Sequence, residues 1–156
     1  MSIKNLKPTK NSNFNQGYFI PKFPEKYTGD PTDIIYRSSW ELRFMNWCDS
    51  ESSIVKWSSE CTIIPYRCGT DNKLHRYFVD FKIQVNSKDG SSKTFLVEIK
   101  PSTQTVPPKY PGKKTRRYLN ESMTFIKNQS KWDAAEQYSK DRGWEFIIIT
   151  EKQLGI

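Results

Sequence analysis

Two carboxylates and a lysine, Asp80, Glu98 and Lys100, are the residues whose types and spacing could support chemistry. They stand in two runs of alternating apolar and polar residues, 75–85 and 93–100. A turn signal containing glycine separates the runs, so the sequence predicts a β-hairpin. Side chains alternate along a strand, so the even-numbered residues of both runs share one face. Folding the hairpin about its loop then sets Asp80 opposite Glu98.

Opposed carboxylates destabilise a hairpin unless a positive charge lies between them. A magnesium ion suits this place, because Mg²⁺ binds one or two carboxylates together with water and phosphate oxygens. Lys100 adds a charge suited to a phosphate or to a water that is losing its proton. An ordinary solvated sheet face is the alternative. The apolar neighbours of Asp80 and Glu98 indicate buried strands, which favours a hydrolytic site.

A helix that could carry a third carboxylate is predicted from Ser38 to about Asp49. Ser38 and Glu41 match the S-x-x-E capping box, with Ser38 as the N-cap. The predicted core stripe consists of Trp40, Phe44, Trp47 and Cys48. Glu41 lies beside that stripe, together with Met45 and Cys48. Two roles therefore stay open for Glu41, a partner in the helix cap or a carboxylate that leans over the sheet.

The remaining elements predict an α/β fold. Short strands are expected at 54–57 and 61–66, with Pro65 at an edge or strand end. Residues 118–142 have a helical pattern, with a break expected near 127–129 and a new N-cap at Ser130. Residues 145–150 predict a buried strand, too apolar for an edge, that joins the sheet in parallel through the helical crossover. We expect one domain with a mixed sheet of four or five strands flanked by helices.

Residues 1–33 contain four prolines and show neither a strand nor a helix period, which predicts an irregular N-terminal arm before a domain at 34–156. We expect the arm to pack down, because disordered tails rarely hold so many large apolar groups. The candidate anchors are Phe14, Tyr18, Phe19, Ile20 and Phe23.

The composition indicates a polyanionic partner. The 156 residues include 25 lysines and arginines against 17 acidic residues, a net charge of +8. No apolar run has membrane length and no secretory signal is visible at the start, so we expect neither a membrane nor a secreted protein. The odd set of three cysteines, Cys48, Cys61 and Cys68, predicts reduced thiols. Zinc binding by these and His75 is disfavoured without a C-x-x-C pair, and His75 is interpreted as structural.

The densest basic cluster follows a proline-rich stretch after Lys100. It consists of Lys113, Lys114, Arg116 and Arg117. A solvated loop is one interpretation. We favour contact with the DNA backbone. The cluster follows the strand of the predicted site after a short proline-rich stretch, and it carries aromatic residues beside its charges.

The order of these residues resembles a known nuclease core. Asp80 followed by Glu98-Ile99-Lys100 is similar to the PD-(D/E)xK motif, with Val79 in place of the proline. With Glu41 added, the order resembles the branch that contains the end-cleaving transposase subunit and the mismatch-nicking endonucleases. Over nearly its whole length, the chain resembles the head-completion nucleases of T-even-type tailed bacteriophages.

This resemblance implies a restriction-endonuclease-like core and a Mg²⁺ cofactor, with Mn²⁺ as a substitute. It implies metal ligation by Asp80, Glu98, Glu41 and the backbone carbonyl of Ile99. The implied catalytic residues are Glu41, Asp80, Glu98 and Lys100. Cleavage within a strand and cleavage from an end both stay open.

The resemblance also implies a setting for the reaction. The protein would process packaged double-stranded DNA at the portal vertex before head–tail joining, in contact with head and portal proteins in the host cytoplasm or with the virion. Two alternatives remain. One is a non-catalytic DNA-binding connector, which the basic charge fits equally well. The other is a sequence-specific endonuclease, for which 156 residues leave little room beside the core.

Overall fold

The computed structural model describes residues 16–156. Its helices are α1 (Ser39–Ser50), α2 (Arg116–Asp141) and α3 (Glu151–Leu154). Its strands are β1 (Gly17–Tyr18), β2 (Ile35–Tyr36), β3 (Ile54–Ser59), β4 (Ile63–Arg67), β5 (Leu74–Phe78), β6 (Phe81–Asn86), β7 (Ser92–Ile99) and β8 (Glu145–Ile149). Single 3₁₀ turns occur at Pro24–Lys26 and Ser102–Gln104.

A four-stranded mixed sheet in the order β3-β6-β7-β8 forms the centre of the protein. Strand β6 pairs antiparallel with both β3 and β7, and β8 pairs in parallel with β7 after the crossover through α2. The predicted mixed sheet flanked by helices is confirmed. Within residues 16–156, no helix combines the length and apolar character needed to cross a membrane.

Each face of the sheet supports its own apolar core. The first, which we call the α1 core, contains Phe44, Met45, Cys48, Trp57, Phe81, Ile83 and Val97 together with Phe19, Tyr27, Ile34 and Ile54. The second, which we call the α2 core, contains Ile64, Tyr66, Cys68, Tyr77, Val79, Leu96, Trp132 and Ala135. Neighbouring residues of β7, Leu96 and Val97, belong to opposite cores, as strand alternation requires.

The run 75–85 is not one strand, and this prediction was wrong. It forms β5, which pairs with β4 in a separate two-stranded sheet, and β6, which pairs within the main sheet. The change of sheet occurs at Val79 and Asp80, where the Val79 amide donates to the Thr62 carbonyl at 3.1 Å instead of continuing the ladder to β7. The β6–β7 hairpin itself is confirmed. Its last pair is Phe81 with Val97, and continuing that register sets Asp80 opposite Glu98.

The helix expected to break near 127–129 is continuous. The hydroxyl of Ser130 donates to the Ile126 carbonyl at 3.0 Å, one turn earlier, and accepts the Gly69 amide at 3.1 Å. Ser130 is therefore an interior helix residue that fastens the β4–β5 hairpin, rather than a new N-cap. The predicted glycine at the end of α2 is confirmed, since Gly143 has φ +71.

The predicted apolar stripe of α1 was wrong at one position, because Met45 and not Trp47 belongs to the core. Phe44 and Cys48 are buried as expected, but Trp47 is 44% exposed while Met45 is fully buried. The core therefore follows the line of Met45 and Cys48, which is also the line of Glu41. Trp47 was predicted to be buried because it has the helical spacing of the stripe and because large aromatic residues are usually buried.

Strand β8 lies at an edge of the sheet, so its predicted interior position was wrong. The apolar sequence of β8 results from packing on both of its faces and not from an interior position in the sheet. Ile147 and Ile149 pack against the α1 core, while Phe146 and Ile148 pack against the α2 core. An edge strand covered on both faces needs apolar residues at successive positions, like an interior strand.

The described part of the arm packs on the domain. Phe19 is buried in the α1 core, and β1 pairs with β2. The Asp49 carboxylate of α1 accepts the Lys22 and Phe23 amides at 2.8 and 3.1 Å. Of the other expected anchors, Tyr18, Ile20 and Phe23 are exposed, and Phe14 lies outside the described residues.

Candidate active site

Asp80 lies at the point where the chain passes from β5 to β6. Its Oδ2 accepts the Ile99 amide of β7 at 2.8 Å, so the carboxylate replaces a carbonyl as the partner of that amide. Burial raises the pKa of Asp80 well above its ordinary value, and the neighbouring carboxylates of Glu98 and Glu41 raise it further. Asp80 is therefore held in place next to like charges.

Glu98, on β7, is only 6% exposed. The Tyr77 hydroxyl donates a short hydrogen bond to Glu98 Oε2. The Lys100 ammonium lies 3.5 Å from the other oxygen, Oε1. The predicted placement of Glu98 and Lys100 on one face is therefore observed. Tyr77, on β5, holds the Glu98 carboxylate in position.

Glu41 lies in the first turn of α1, but its side chain accepts a hydrogen bond from Arg37 rather than from Ser38, the partner that a capping box would give it. Its amide donates to the Ser38 hydroxyl at 3.1 Å, which caps α1, while its Oε2 accepts the Arg37 amide at 2.8 Å. Burial raises the pKa of Glu41 to about 7, with further increases from the Glu60 and Glu98 carboxylates. The Ser38 hydroxyl thus caps the helix, and the Glu41 side chain lies within electrostatic reach of Glu60 and Glu98.

The donor set fits a hard divalent cation. The Glu98 carboxylate contributes to raising the pKa of both Asp80 and Glu41, which indicates negative charge without enough compensation from the protein. Carboxylate oxygens are the ligands that Mg²⁺ prefers. Asp80, Glu98 and Glu41 are the residues that would hold such an ion, and their role as ligands stays a prediction.

Sequence reasoning missed two members of the site. Tyr77 holds Glu98, and the Lys131 ammonium of α2 lies 5.5 Å from the centre of the Tyr77 ring. Burial lowers the pKa of Lys131, while Glu98 and Asp80 act in the opposite direction. One sequence feature could have indicated Lys131. It directly precedes the buried Trp132, at the border of the apolar face of α2.

The basic cluster lies at the start of α2. Lys113, Lys114, Arg116 and Arg117 are all exposed, and Thr115 between them caps the helix by accepting the Tyr118 amide. Arg117 pairs with Glu121 at 2.9 Å. The cluster is thus open to a partner, and it stays a predicted DNA contact.

The cysteines occupy separate places. Cys48 is in the α1 core, Cys61 is exposed, and all three cysteines are free thiols. Cys68 lies near Asp71 and His75, with one potential ligand atom of each within 4.8 Å of the others. The Nε2 atom of His75 lies 2.7 Å from Asp71 Oδ2, so His75 has an acidic partner.

The metal-free protein should lose stability as the pH rises from about 5 to 7. Because the pKa of Glu41 is about 7 in the folded state and 4.5 ordinarily, the folded state keeps a proton that the unfolded state releases in this interval. The free energy of unfolding then falls by up to about 1.4 kcal/mol per pH unit for this one proton. Urea unfolding in EDTA at several pH values measures the slope.

Glu41→Gln should flatten that slope, whereas Glu136→Gln, at an exposed position on α2, should leave it unchanged. Added Mg²⁺ should raise the stability more at pH 7.5 than at pH 5, because protons and cations compete for the same carboxylates. A stability that rises with pH across this interval in EDTA would contradict a raised pKa of Glu41 in the folded state.

Comparisons with known proteins agree with this geometry. Residues 51–151 match the family model described as TnsA-like endonuclease N terminal, a range that includes Asp80, Glu98, Lys100 and Lys131. The chain is also similar to the head completion nuclease of Enterobacteria phage T4, with 42% identity over 142 residues. That alignment covers 88% of this chain and 92% of the T4 protein. The chain therefore belongs to the TnsA-like endonucleases, as one of the head completion nucleases.

Proposed function

We propose that the protein is a metal-dependent DNA nuclease that processes the packaged DNA end at the portal vertex during phage head completion. The observation that carries this proposal is the partly enclosed acidic group of Asp80, Glu98 and Glu41, with Lys100 at 3.5 Å from Glu98. Membership of the endonuclease family supports hydrolysis, and the family implies a divalent metal. We assign Mg²⁺ as the ion, with Mn²⁺ as a substitute, because the ligands are hard oxygens.

A bound divalent cation would neutralise charge on the scissile phosphate and increase the acidity of the attacking water. The protein's own part is to hold the ligands still. Tyr77 fixes Glu98, and the Ile99 amide fixes Asp80. The N–H and C=O of one residue in a strand point to the same edge. The Ile99 carbonyl therefore faces the edge where Asp80 lies, which supports its proposed role as a ligand.

Lys100 would act on the phosphate and on the attacking water. Its ammonium stands beside Glu98 and follows the end of β7, so it can stabilise negative charge that develops on phosphoryl oxygens. Lys131 approaches from α2 on the same side as Tyr77. The ammonium groups of Lys100 and Lys131, which come from different elements, would then contact the substrate from two sides.

The setting in head completion is proposed from the T4 relative, whose name assigns it to that step. Partners at the vertex would be double-stranded DNA and head or portal proteins, met in the host cytoplasm during assembly. The net charge of +8 supports the DNA partner.

The test incubates purified protein with linear and with covalently closed circular DNA, with Mg²⁺ or with EDTA, and follows product sizes. We expect cleavage only with the metal. Cleavage of the circle would establish endonucleolytic action, and shortening of the linear DNA alone would establish action from ends. A wild-type protein that binds DNA but cleaves neither form would favour a non-catalytic connector, the second candidate, which the basic charge supports.

Neutralising the basic cluster should weaken DNA binding about equally for all sequences. Replacing Lys113, Lys114, Arg116 and Arg117 by glutamine removes cations that neutralise phosphates. The slope of log affinity against log salt should therefore flatten by about 0.9 for each phosphate that the protein no longer neutralises. The measurement is fluorescence anisotropy with labelled duplexes over a salt series.

A control protein with glutamine at the exposed positions Lys73, Lys88, Lys140 and Lys152 loses the same charge elsewhere. If both proteins lose affinity equally, the effect reports net charge, and the cluster is an ordinary solvated surface.

Lys131→Met should lower the cleavage rate about 10- to 100-fold, because a charge beside the reacting phosphate is removed while the packed stem of the side chain is kept. Lys127→Met, one turn earlier and exposed, is the matched control. Single-turnover rates at saturating protein separate this effect from weaker binding. Equal rates for the Lys131 variant and wild type would place Lys131 outside the reaction.

A further inference from the structure

A groove of about 530 Å³ runs between α2 and the segment that follows β7. The helix contributes Arg117, Asn120, Thr124 and Asn128, and the segment contributes Thr103 and Gln104. A volume in this range is typical of sites that bury most of a small ligand. The groove therefore has room for part of one strand or for one small molecule, but not for a whole duplex.

Both walls of the groove lead to the candidate active site. The segment wall begins directly after Lys100. The helix wall is a stripe at helical spacing, and the same spacing continues from Asn128 to Lys131, which borders the carboxylates. From Arg117 to Lys131 the helix rises about 21 Å. In B-form geometry this length corresponds to about six nucleotides of one strand.

The lining suits a single nucleic acid strand. A duplex presents phosphates along two strands and is bound mainly through cations. Here half of the ten lining residues carry amides or hydroxyls, and the cation of the lining, Arg117, pairs with Glu121, which also lines the groove. Val106 and Phe125 add apolar surface. Amides can bind the edges of unpaired bases, and apolar or aromatic side chains contact their faces.

We propose that this groove binds a single DNA strand leading away from the scissile phosphate, so that the preferred substrate is a DNA end with a single-stranded extension. The proposal rests on the nuclease function proposed above and specifies its substrate. The basic cluster at the far end of the groove would contact the backbone as that strand leaves α2. The Tyr110 and Tyr118 rings, 5.2 Å apart, lie beside that exit and offer a face for stacking.

The test measures binding without turnover, in an Asp80→Asn background, to blunt duplex and to the same duplex with a six-nucleotide 3′ or 5′ extension. Two changes obstruct the groove. Asn120→Asp places a negative charge in it, and Thr124→Trp fills it. Asn46→Asp on exposed α1 surface and Met123→Trp at the adjacent exposed position make the same chemical changes outside the groove.

We expect the Asp80→Asn protein without further changes, the parent protein, to prefer one of the two extensions. It should bind the duplex with that extension at least about fivefold more tightly than the blunt duplex. Asn120→Asp and Thr124→Trp should remove this preference and leave blunt-duplex affinity within about twofold, while both controls keep the preference. Absence of any preference in the parent would overturn the proposal. So would equal losses on blunt and extended DNA, which would make the groove a general backbone surface. Because the readout is affinity, failure here is distinct from failure of the nuclease function, which would appear as wild-type protein without cleavage.

Discussion

Asp80→Asn is expected to lower metal-dependent DNA cleavage by at least about a thousandfold, equal to roughly 4 kcal/mol of transition-state stabilisation. The amide keeps the shape of the side chain and can still accept the Ile99 amide, but it no longer supplies a negative ligand. The fold should survive. Relief of repulsion with Glu98 and Glu41 should leave the melting temperature of the metal-free protein equal or higher.

The measurement combines DNA hydrolysis with thermal melting in EDTA and in Mg²⁺. Wild type should melt at a higher temperature in Mg²⁺, because the cation binds the folded state, and Asp80→Asn should lose most of that increase. Asp133→Asn, an exposed aspartate on α2, makes the same change away from the site and should behave like wild type. An Asp80→Asn protein with full hydrolysis would show that this carboxylate is not the proposed ligand.

Lys100→Met should lower cleavage about 100- to 1,000-fold, the range typical for loss of one group that stabilises developing charge. Unlike Asp80→Asn, it should keep the Mg²⁺-dependent rise in melting temperature, because all the carboxylates remain. Lys93→Met makes the same change at the other end of β7, where the ammonium pairs with Glu145 far from the acidic group.

The comparison of the two variants separates metal binding from chemistry. If Lys100→Met abolished the Mg²⁺ effect on melting as well, its role would be to support the ligands rather than to act on the substrate. If its cleavage matched that of Lys93→Met, Lys100 would have no role in the reaction.

Much of the fold could be predicted because local patterns and tertiary packing agree. The N-cap at Ser38, the β6–β7 hairpin and the parallel β8 after a helix each have a signal that spans a few residues. The placement of Glu98 and Lys100 on one face also follows from strand alternation alone. The resemblance to the head completion nucleases over nearly the whole chain was confirmed by the comparisons.

The errors arise where the outcome depends on distant residues. The change of sheet at Val79 and Asp80 depends on pairing with Thr62, which no alternation within 75–85 can reveal. Ser130 has the sequence of a cap, but its contact with Gly69 places it inside a helix. Tyr77 and Lys131 were missed for the same reason, since they meet only when α2 packs on the β4–β5 hairpin. The site roles themselves stay predictions until the variants are measured.

The change of sheet at Val79 and Asp80 also determines how the enzyme would be switched off by partial unfolding. Glu41 comes from the helix of the α1 core, while Tyr77 and Lys131 belong to elements of the α2 core. Regions of a protein can open independently as cooperative units. If the elements of one core opened alone, the remaining fold would lack part of the proposed set of site residues, so a nascent or partly opened chain is expected to be inert toward the DNA around it.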